Sequence, residues 1–276
     1  MFTIVAGTGY TGHRVLERLP TEGAIGLSRS PIETGRSSHL VDFDKIAALP
    51  VDLPDCYAVL YTCPPGGEAD DRLRRFLALI DPIPERFVYI STTGVYGDCK
   101  GAVVTEESPV NPDSQMSKPR VVAEGLLRVW ASDNACELVV LRSPGIYGPG
   151  RLGVDRLAAG DAYLDAAASK PGNRIHVDDL ATCCLRALSE DVPAGIYNVS
   201  DGDHRTATQF AEEVARQASL RPPRKISWAE AEKEYSPMRL AFLSPSRIVD
   251  TTRMREVLGV TPRYANPEDG IRDSLL

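Results

Sequence analysis

The chain has 276 residues, of which 43% are hydrophobic and 25% are charged, and its formal net charge at pH 7 is −7. These values are ordinary for a globular protein, and the length allows one large α/β domain or a main domain with a small appendage. The negative charge gives no basic field for nucleic acid, and the sequence contains no apolar run long enough to span a membrane.

The six cysteines contain no Cys-x-x-Cys pair. We expect them to be small buried residues in a reducing compartment, and we expect neither a disulfide framework nor a metal site. The first predicted strand begins at Phe2, which leaves no room for a signal peptide, so a cytoplasmic location is expected.

The chain opens with a predicted strand, a glycine-rich turn and a helix. Residues 2–5 are apolar and β-branched, residues 7–12 read Gly-Thr-Gly-Tyr-Thr-Gly, and Val15, Leu16 and Leu19 recur at helical spacing. A dinucleotide-binding Gly-x-Gly-x-x-Gly motif requires a strand before the turn and a helix after it, and both are predicted here.

Each glycine of the turn has a physical reason in such a site. Gly7 permits the tight turn, Gly9 lets backbone N–H groups approach a pyrophosphate, and Gly12 lets the helix pack closely on the strand. The phosphates would lie at the helix N-terminus, where the N–H groups are unpaired. The predicted cofactor-binding residues of this turn are Gly7, Thr8, Gly9, Tyr10, Thr11 and Gly12.

The second strand, predicted at 24–27, ends at the position that distinguishes the two nicotinamide dinucleotides. An acidic residue here would bind the adenosine ribose hydroxyls of NAD, but the sequence reads Ser28-Arg29-Ser30 and has no acid between Gly23 and Ile32. A guanidinium flanked by two hydroxyls suits a 2′-phosphate. We therefore predict NADP as the cofactor, with NAD as the less favoured alternative.

The next two strands are predicted at 39–43 and 57–61. Asp42 and Phe43 are expected near the adenine. Thr62, Cys63 and Pro64 open a proline- and glycine-rich loop at the carboxyl end of the later strand, where a loop over the cofactor is expected.

Further strands are predicted at 87–90 and 138–141, and helices at 72–80, 118–130, 208–218 and 253–258. The alternation predicts an α/β fold, a Rossmann-type doubly wound parallel sheet. The helix at 118–130 carries an apolar face, which predicts core packing or, as the second choice, a homodimer interface. We expect a single domain over 1–276, in which 1–147 mainly bind the cofactor and 148–276 contribute strands and a small C-terminal substrate lobe.

Five motifs then follow in a fixed order: Ser91–Gly97, Leu141–Gly150, Ile175–Ala181, Tyr197–Gly202 and a helix at 250–259 that ends in Leu-Gly. In this order they resemble the extended short-chain dehydrogenase/reductase family, of the NAD-dependent epimerase/dehydratase type. The resemblance covers nearly the whole chain. It implies that Thr92 is the active-site Ser/Thr that holds the substrate oxygen, and that Pro144, Gly145 and Ile146 line the nicotinamide.

The sequence departs from that family at its acid/base. The family places a tyrosine four residues before a lysine that lowers the pKa of the phenol. Anchoring on Lys118, our candidate catalytic lysine, puts Ser114 at the tyrosine position. Anchoring on Glu124 puts Arg120 at the lysine and Met116 at the tyrosine. Neither register supplies a phenol, so the chain resembles an atypical branch of the family.

A substitute acid could come from Tyr96, Tyr147 or Asp113, although each is more simply structural. The segments 147–154 and 240–247 are expected to shape the substrate pocket. An anionic substrate could meet arginines, for which the candidates are Arg142, Arg151 and Arg174.

Two functions remain open at this point. The first is an NADP-dependent oxidoreductase or epimerase-like enzyme, in which hydride moves between the nicotinamide and a small-molecule carbonyl or alcohol while Thr92 polarises the oxygen. The second is a non-catalytic NADP(H)-binding sensor that acts on a protein partner. The presence of Thr92 favours the enzyme.

Overall fold

The structure, a computed structural model, describes residues 1–33 and 35–276. The strands are β1 (Phe2–Ala6), β2 (Ala24–Ser28), β3 (Ser38–Leu40), β4 (Tyr57–Tyr61), β5 (Arg86–Thr92), β6 (Val103–Val104), β7 (Glu137–Ser143), β8 (Gly145–Tyr147), β9 (Ala162–Leu164), β10 (Arg174–His176), β11 (Gly195–Asn198), β12 (Arg224–Ile226) and β13 (Ile248–Val249). The α-helices are α1 (Tyr10–Arg18), α2 (Asp71–Leu77), α3 (Lys118–Asp133), α4 (Val154–Ala158), α5 (Val177–Ala187), α6 (Ala207–Gln217), α7 (Trp228–Glu234), α8 (Pro237–Leu243), α9 (Thr252–Glu256) and α10 (Pro267–Leu275).

Within the described residues the centre is a seven-stranded sheet in the order β11-β7-β5-β4-β1-β2-β3. Every neighbouring pair in it is parallel, and Ile4 of β1 lies between Ile25 of β2 and Val59 of β4. The inner strands are buried on both faces, which is why they read as continuous apolar runs. The sequence therefore predicted the sheet class correctly.

Helices cover both faces of this sheet. On one face α1 and α5 bury Leu16 and Leu180 in a shared core, and on the other α2 and α3 bury Phe76 and Leu127 in a second core. This is the doubly wound arrangement. Because the strands are parallel, their carboxyl ends meet along one edge, where the order reverses between β1 and β4.

A small lobe follows β8. It contains α4, β9, α6, β12, α7 and α8, and its apolar residues form two separate clusters, one around Tyr163 and Phe210 and one around Ile226 and Tyr235. The main sheet takes one strand, β11, from the part of the chain beyond residue 148.

Some element bounds differ from the prediction. The third strand ends at Leu40 instead of 43, because Asp42 starts a turn in which its carbonyl accepts from the backbone N–H groups of Lys45 and Ile46. Arg224 begins β12, which pairs with β9 and for which no strand was predicted. On α3, Leu126 and Trp130 pack on the core while Val122 and Val129 stay exposed. Among the described helices, none has the length and apolarity needed to cross a membrane.

Candidate functional site

A cavity of about 530 Å³ opens along the carboxyl edge of the sheet. Six strands of the sheet deliver residues to it, because β1, β2, β3, β4, β5 and β7 all end there. Its lining contains Gly7, Thr8, Gly9, Tyr10, Thr11, Ser28, Arg29, Ser30, Ile32, Val41, Asp42, Phe43, Asp44, Thr62, Cys63, Pro64, Arg72, Ile90, Ser91, Thr92, Arg120, Ser143, Pro144, Ile146 and Arg151. Most of the predicted site residues therefore meet in one place.

The glycine turn forms the floor of the cavity. Gly7 has a φ of +98°, and a Cβ on it would lie 2.7 Å from the Thr62 Oγ1 and Cys63 Sγ atoms. A Cβ on Gly12 would lie 2.0 Å from the Gly7 carbonyl oxygen, so Gly12 serves packing and stays outside the lining. A Cβ on Gly9 would meet nothing within 4 Å. The space in front of Gly9 is therefore open to a ligand.

Helix α1 begins at this open space. Its N-cap, Gly9, offers no side-chain acceptor, and the first turn carries no acidic residue. The first N–H groups and the positive end of the helix dipole thus face the cavity unpaired, which favours an anionic group.

The end of β2 supplies a free cation. Arg29 is exposed at the cavity and has no hydrogen-bond or ion-pair partner among residues 1–33 and 35–276, while the neighbouring Ser28 donates to the Ser30 carbonyl at 2.6 Å. Asp44, which also lines the cavity, is already engaged, because Arg72 donates to both of its carboxylate oxygens at 2.9 and 2.6 Å. This hydrogen bonding lowers the pKa of Asp44.

Thr92 is the last residue of β5 and lines the cavity. Its Oγ1 accepts from the Gly94 N–H at 3.1 Å, which leaves its hydroxyl proton available to a ligand oxygen. Pro144 and Ile146, which the family resemblance assigns to the nicotinamide, also line the cavity, whereas Gly145 between them lies outside the lining.

The two registers considered for the family's lysine place different side chains at the cavity. Lys118 is exposed at the start of α3 and lies outside the cavity lining. Arg120 is in the lining and donates to the Ile90 carbonyl at 2.8 Å and to the Tyr89 hydroxyl at 3.1 Å. The spacing to Glu124 was the sequence signal for this residue. Met116, at the tyrosine position, is 65% exposed.

The suggested substitute acids lie outside the lining. Tyr96 is buried, donates to Asn198 Oδ1 at 2.7 Å and accepts from Arg142 at 2.9 Å, and burial raises its pKa. Tyr147 is buried in the lobe, and burial raises its pKa strongly. Asp113 is exposed.

Of the three arginines suggested for an anionic substrate, Arg151 alone is in the lining. Arg142 is buried and paired with Glu124 at 2.7 Å, and Arg174 is packed over the Phe210 ring. Residues 240–247 contribute nothing to the described lining. The structure also places no cluster of three or more metal-ligating side chains among its described residues.

The known proteins that this chain resembles include epimerases and dehydratases. Residues 76–200 match the model of the NAD dependent epimerase/dehydratase family. Protein YeeZ of Escherichia coli K12 is 29% identical over 191 residues, which cover 69% of this chain and 62% of YeeZ. Other curated relatives at 23–28% identity include UDP-glucose 4-epimerase of Mycolicibacterium smegmatis and dTDP-glucose 4,6-dehydratase of Streptomyces niveus. The alignments span 51% and 62% of the first two curated relatives' own length.

Solved structures match the chain along its whole length. A conserved protein of unknown function from Silicibacter pomeroyi DSS superposes with a TM-score of 0.79 at 27% identity, covering 99% of this chain and 98% of that one. MoeE5 in complex with UDP-glucose and NAD has the same fold, with a TM-score of 0.76 at 21% identity and coverage of 100% and 97%. Over residues 76–200 the chain is therefore similar to the NAD-dependent epimerase/dehydratase family, and its whole length shares the fold of these solved structures.

Proposed function

We propose that the cavity binds a nicotinamide dinucleotide. The observation that carries this proposal is the glycine turn, where Gly7 and Gly12 are required by packing but Gly9 faces open space at the N-terminus of α1. A pyrophosphate fits there, because it needs close backbone approach and unpaired N–H groups. MoeE5, whose structure is in complex with UDP-glucose and NAD, has this fold.

The dinucleotide that we propose is NADP. Its 2′-phosphate would meet Arg29, with Ser28 and Ser30 on either side, while Asp42 and Phe43 would lie at the adenine. Asp44, which also lines the cavity, already accepts from Arg72 with both of its carboxylate oxygens. Arg29, which has no hydrogen-bond partner among the described residues, could bind a phosphate with two parallel hydrogen bonds.

The reaction that we propose is hydride transfer at the carbon of a small-molecule carbonyl or alcohol. The bound nicotinamide would supply the hydride acceptor or donor. The Thr92 hydroxyl would hold the substrate oxygen, with Pro144, Gly145 and Ile146 beside the nicotinamide. Arg120 would take the lysine's place, where its permanent charge stabilises negative charge developing on that oxygen. The proton that the substrate oxygen gains or loses can come from neither Met116 nor Arg120, so a further donor, which the sequence does not identify, would exchange it.

The relatives favour an enzyme over the sensor. They include epimerases and dehydratases of nucleotide-linked sugars. We therefore propose an epimerase-like or oxidoreductase activity, with a substrate that carries an oxidisable hydroxyl or a reducible carbonyl.

The test is a titration of the protein with NADPH and NADH, followed by nicotinamide fluorescence. We expect the protein to bind NADPH more tightly than NADH. Arg29→Ala should lower the affinity for NADPH by roughly 10-fold or more, since a hydrogen bond to a charged group contributes about 1.5–3 kcal/mol. The same substitution should change the affinity for NADH by less than about 2-fold.

Arg74→Ala is the matched control, because Arg74 lies on α2 outside the lining. Failure of the wild-type protein to bind either nucleotide would refute the proposal. Equal losses for NADPH and NADH in Arg29→Ala would refute the choice of NADP. Thr92→Ala should retain NADPH binding and lose turnover in a carbonyl reductase screen.

A further inference from the structure

The segment that leads into the lobe is held against the first turn of α1. The Tyr10 hydroxyl donates to the Pro149 carbonyl at 3.0 Å, and a Cβ on Gly148 would lie 2.6 Å from that hydroxyl oxygen. The Arg151 guanidinium carbon lies 3.9 Å from the centre of the Tyr10 ring. Tyr10 is the first residue of α1 and follows Gly9 directly, so this segment reaches the phosphate end of the proposed cofactor site.

Arg151 enters the cavity as a cation without an acidic partner. It lines the cavity together with Gly9, Tyr10 and Thr11, and it has no ion pair among the described residues. Its guanidinium is positioned by the Tyr10 ring face, a contact that holds the group in place without using its N–H donors. These donors remain free to bind a ligand oxygen.

Arg14 provides an internal comparison. Its guanidinium carbon also lies over the Tyr10 ring, at 4.4 Å. Unlike Arg151, it is paired with Asp178 at 3.5 Å, donates to the Tyr10 carbonyl at 2.9 Å, and lies outside the lining. Two arginines thus contact one ring, and one of them carries an unbalanced charge into the cavity.

We propose that Arg151 is a pyrophosphate-binding residue that the lobe-side segment contributes to the dinucleotide site. This inference rests on the proposed function. Backbone N–H groups of α1 would bind the pyrophosphate from one side and the Arg151 guanidinium from another, with the geometry that guanidinium and phosphate share. Because Arg151 lies between β8 and α4, the bound dinucleotide would tie the lobe to the sheet, and its release would require this segment to move.

The test compares two ligands in three variants. NADPH contains the pyrophosphate, whereas adenosine 2′-monophosphate presents only the part that would contact Arg29. Isothermal titration calorimetry is run with both ligands on the wild-type protein, Arg151→Ala, Arg151→Lys and Arg14→Ala. Thermal unfolding monitored by circular dichroism checks that each variant is folded.

We expect Arg151→Ala to lower the affinity for NADPH about 10- to 100-fold, because a hydrogen bond to a charged group contributes about 1.5–3 kcal/mol. The affinity for adenosine 2′-monophosphate should stay unchanged. Arg151→Lys should recover part of the loss, and Arg14→Ala should match the wild type with both ligands. In stopped-flow displacement most of the change should appear as faster NADPH release.

Two results would overturn the inference while the proposed function stands: wild-type affinity for NADPH in Arg151→Ala, or equal weakening of both ligands. If the wild-type protein binds neither NADPH nor NADH, the proposed function fails first, and this inference fails with it.

Discussion

At the scale of single residues, Gly9 and Gly12 of the glycine turn differ in the space around them. Gly12 has no room for a side chain because the Gly7 carbonyl oxygen would lie 2.0 Å from its Cβ, whereas Gly9 has open space and a negative φ of −76°. The constraint on Gly12 comes from packing within the folded chain, whereas the constraint on Gly9 would come from the dinucleotide that we propose. Substitutions at the two positions should therefore have different consequences.

We predict that Gly12→Ala lowers the free energy of unfolding by about 1–3 kcal/mol, the usual cost of overpacking, and that Gly9→Ala changes it by less than about 0.5 kcal/mol. Gly9→Ala should instead weaken NADPH binding, since its methyl group occupies the space proposed for the pyrophosphate. Urea unfolding and the fluorescence titration measure the two effects. Normal NADPH affinity in Gly9→Ala would argue against the placement of the phosphates.

Asp201 is a second residue with a testable energetic role. It is 6% exposed, one of its carboxylate oxygens has no partner among the described residues, and burial raises its pKa to about 8. Its other oxygen accepts from the Asp203 N–H at 3.0 Å. The folded protein therefore keeps a proton that the unfolded chain releases above its ordinary pKa of 3.8.

For an acid whose pKa is raised by folding, stability falls as the pH rises from the unfolded pKa to the folded one. We predict that Asp201→Asn, which keeps the acceptor oxygen and carries no charge, unfolds at higher urea than the wild type at pH 9. The difference should be at most about 6 kcal/mol, since the shift is about four pKa units of about 1.4 kcal/mol each, and it should shrink toward pH 4. A difference that is the same at both pH values would contradict this account.

At the scale of elements, a buried polar network joins the carboxyl ends of β5, β7 and β11 to α3. Glu124 of α3 accepts from Ser91 at 2.5 Å and pairs with Arg142 at 2.7 Å, and Arg142 donates to Tyr96, which donates to Asn198. The side chains of Glu124 and Arg142 are 11% and 4% exposed. This network holds the strand ends on which Thr92 and Ser143 stand.

We predict that Glu124→Ala lowers the free energy of unfolding by about 3–5 kcal/mol, because it leaves the Arg142 charge buried without its acid. Glu234→Ala is the control, since it breaks the exposed Arg224–Glu234 pair, and it should cost less than about 1 kcal/mol. Urea unfolding of both variants provides the comparison. Similar costs for the two variants would show that the network contributes little.

At the scale of the whole molecule, the proposed cofactor contacts both the sheet and the segment entering the lobe. Ligands that bind only the folded state stabilise it by mass action, by about 2.7 kcal/mol at 100 times Kd. For a chain of this size, we predict that saturating NADPH raises Tm by roughly 5–10 °C, at about 2–4 °C per kcal/mol. Differential scanning fluorimetry measures this shift in Tm, and the absence of any shift would contradict tight binding.

A homodimer through the exposed face of α3 and a cytoplasmic location stay predictions.

The sequence by itself determined the local parts of this protein. Continuous apolar β-branched runs predicted β1, β4 and β7 within two residues at each end, and the strand-turn-helix context predicted the glycine turn, because these features depend on neighbours along the chain. It also predicted residues at the ends of separate strands, from Arg29 to Ile146, that the fold brings into one cavity. The reason is that carboxyl ends of parallel strands share one edge.

The tertiary structure alone decided what depends on packing between distant segments. Arg120, and not Lys118, lines the cavity, because the rotation of α3 on the sheet selects which side chain faces inward. Likewise, the sequence did not distinguish among Arg142, Arg151 and Arg174 as candidates for binding an anionic substrate. Two of them are held by contacts within the protein, with Glu124 and with the Phe210 ring, and only Arg151 keeps its charge for the cavity.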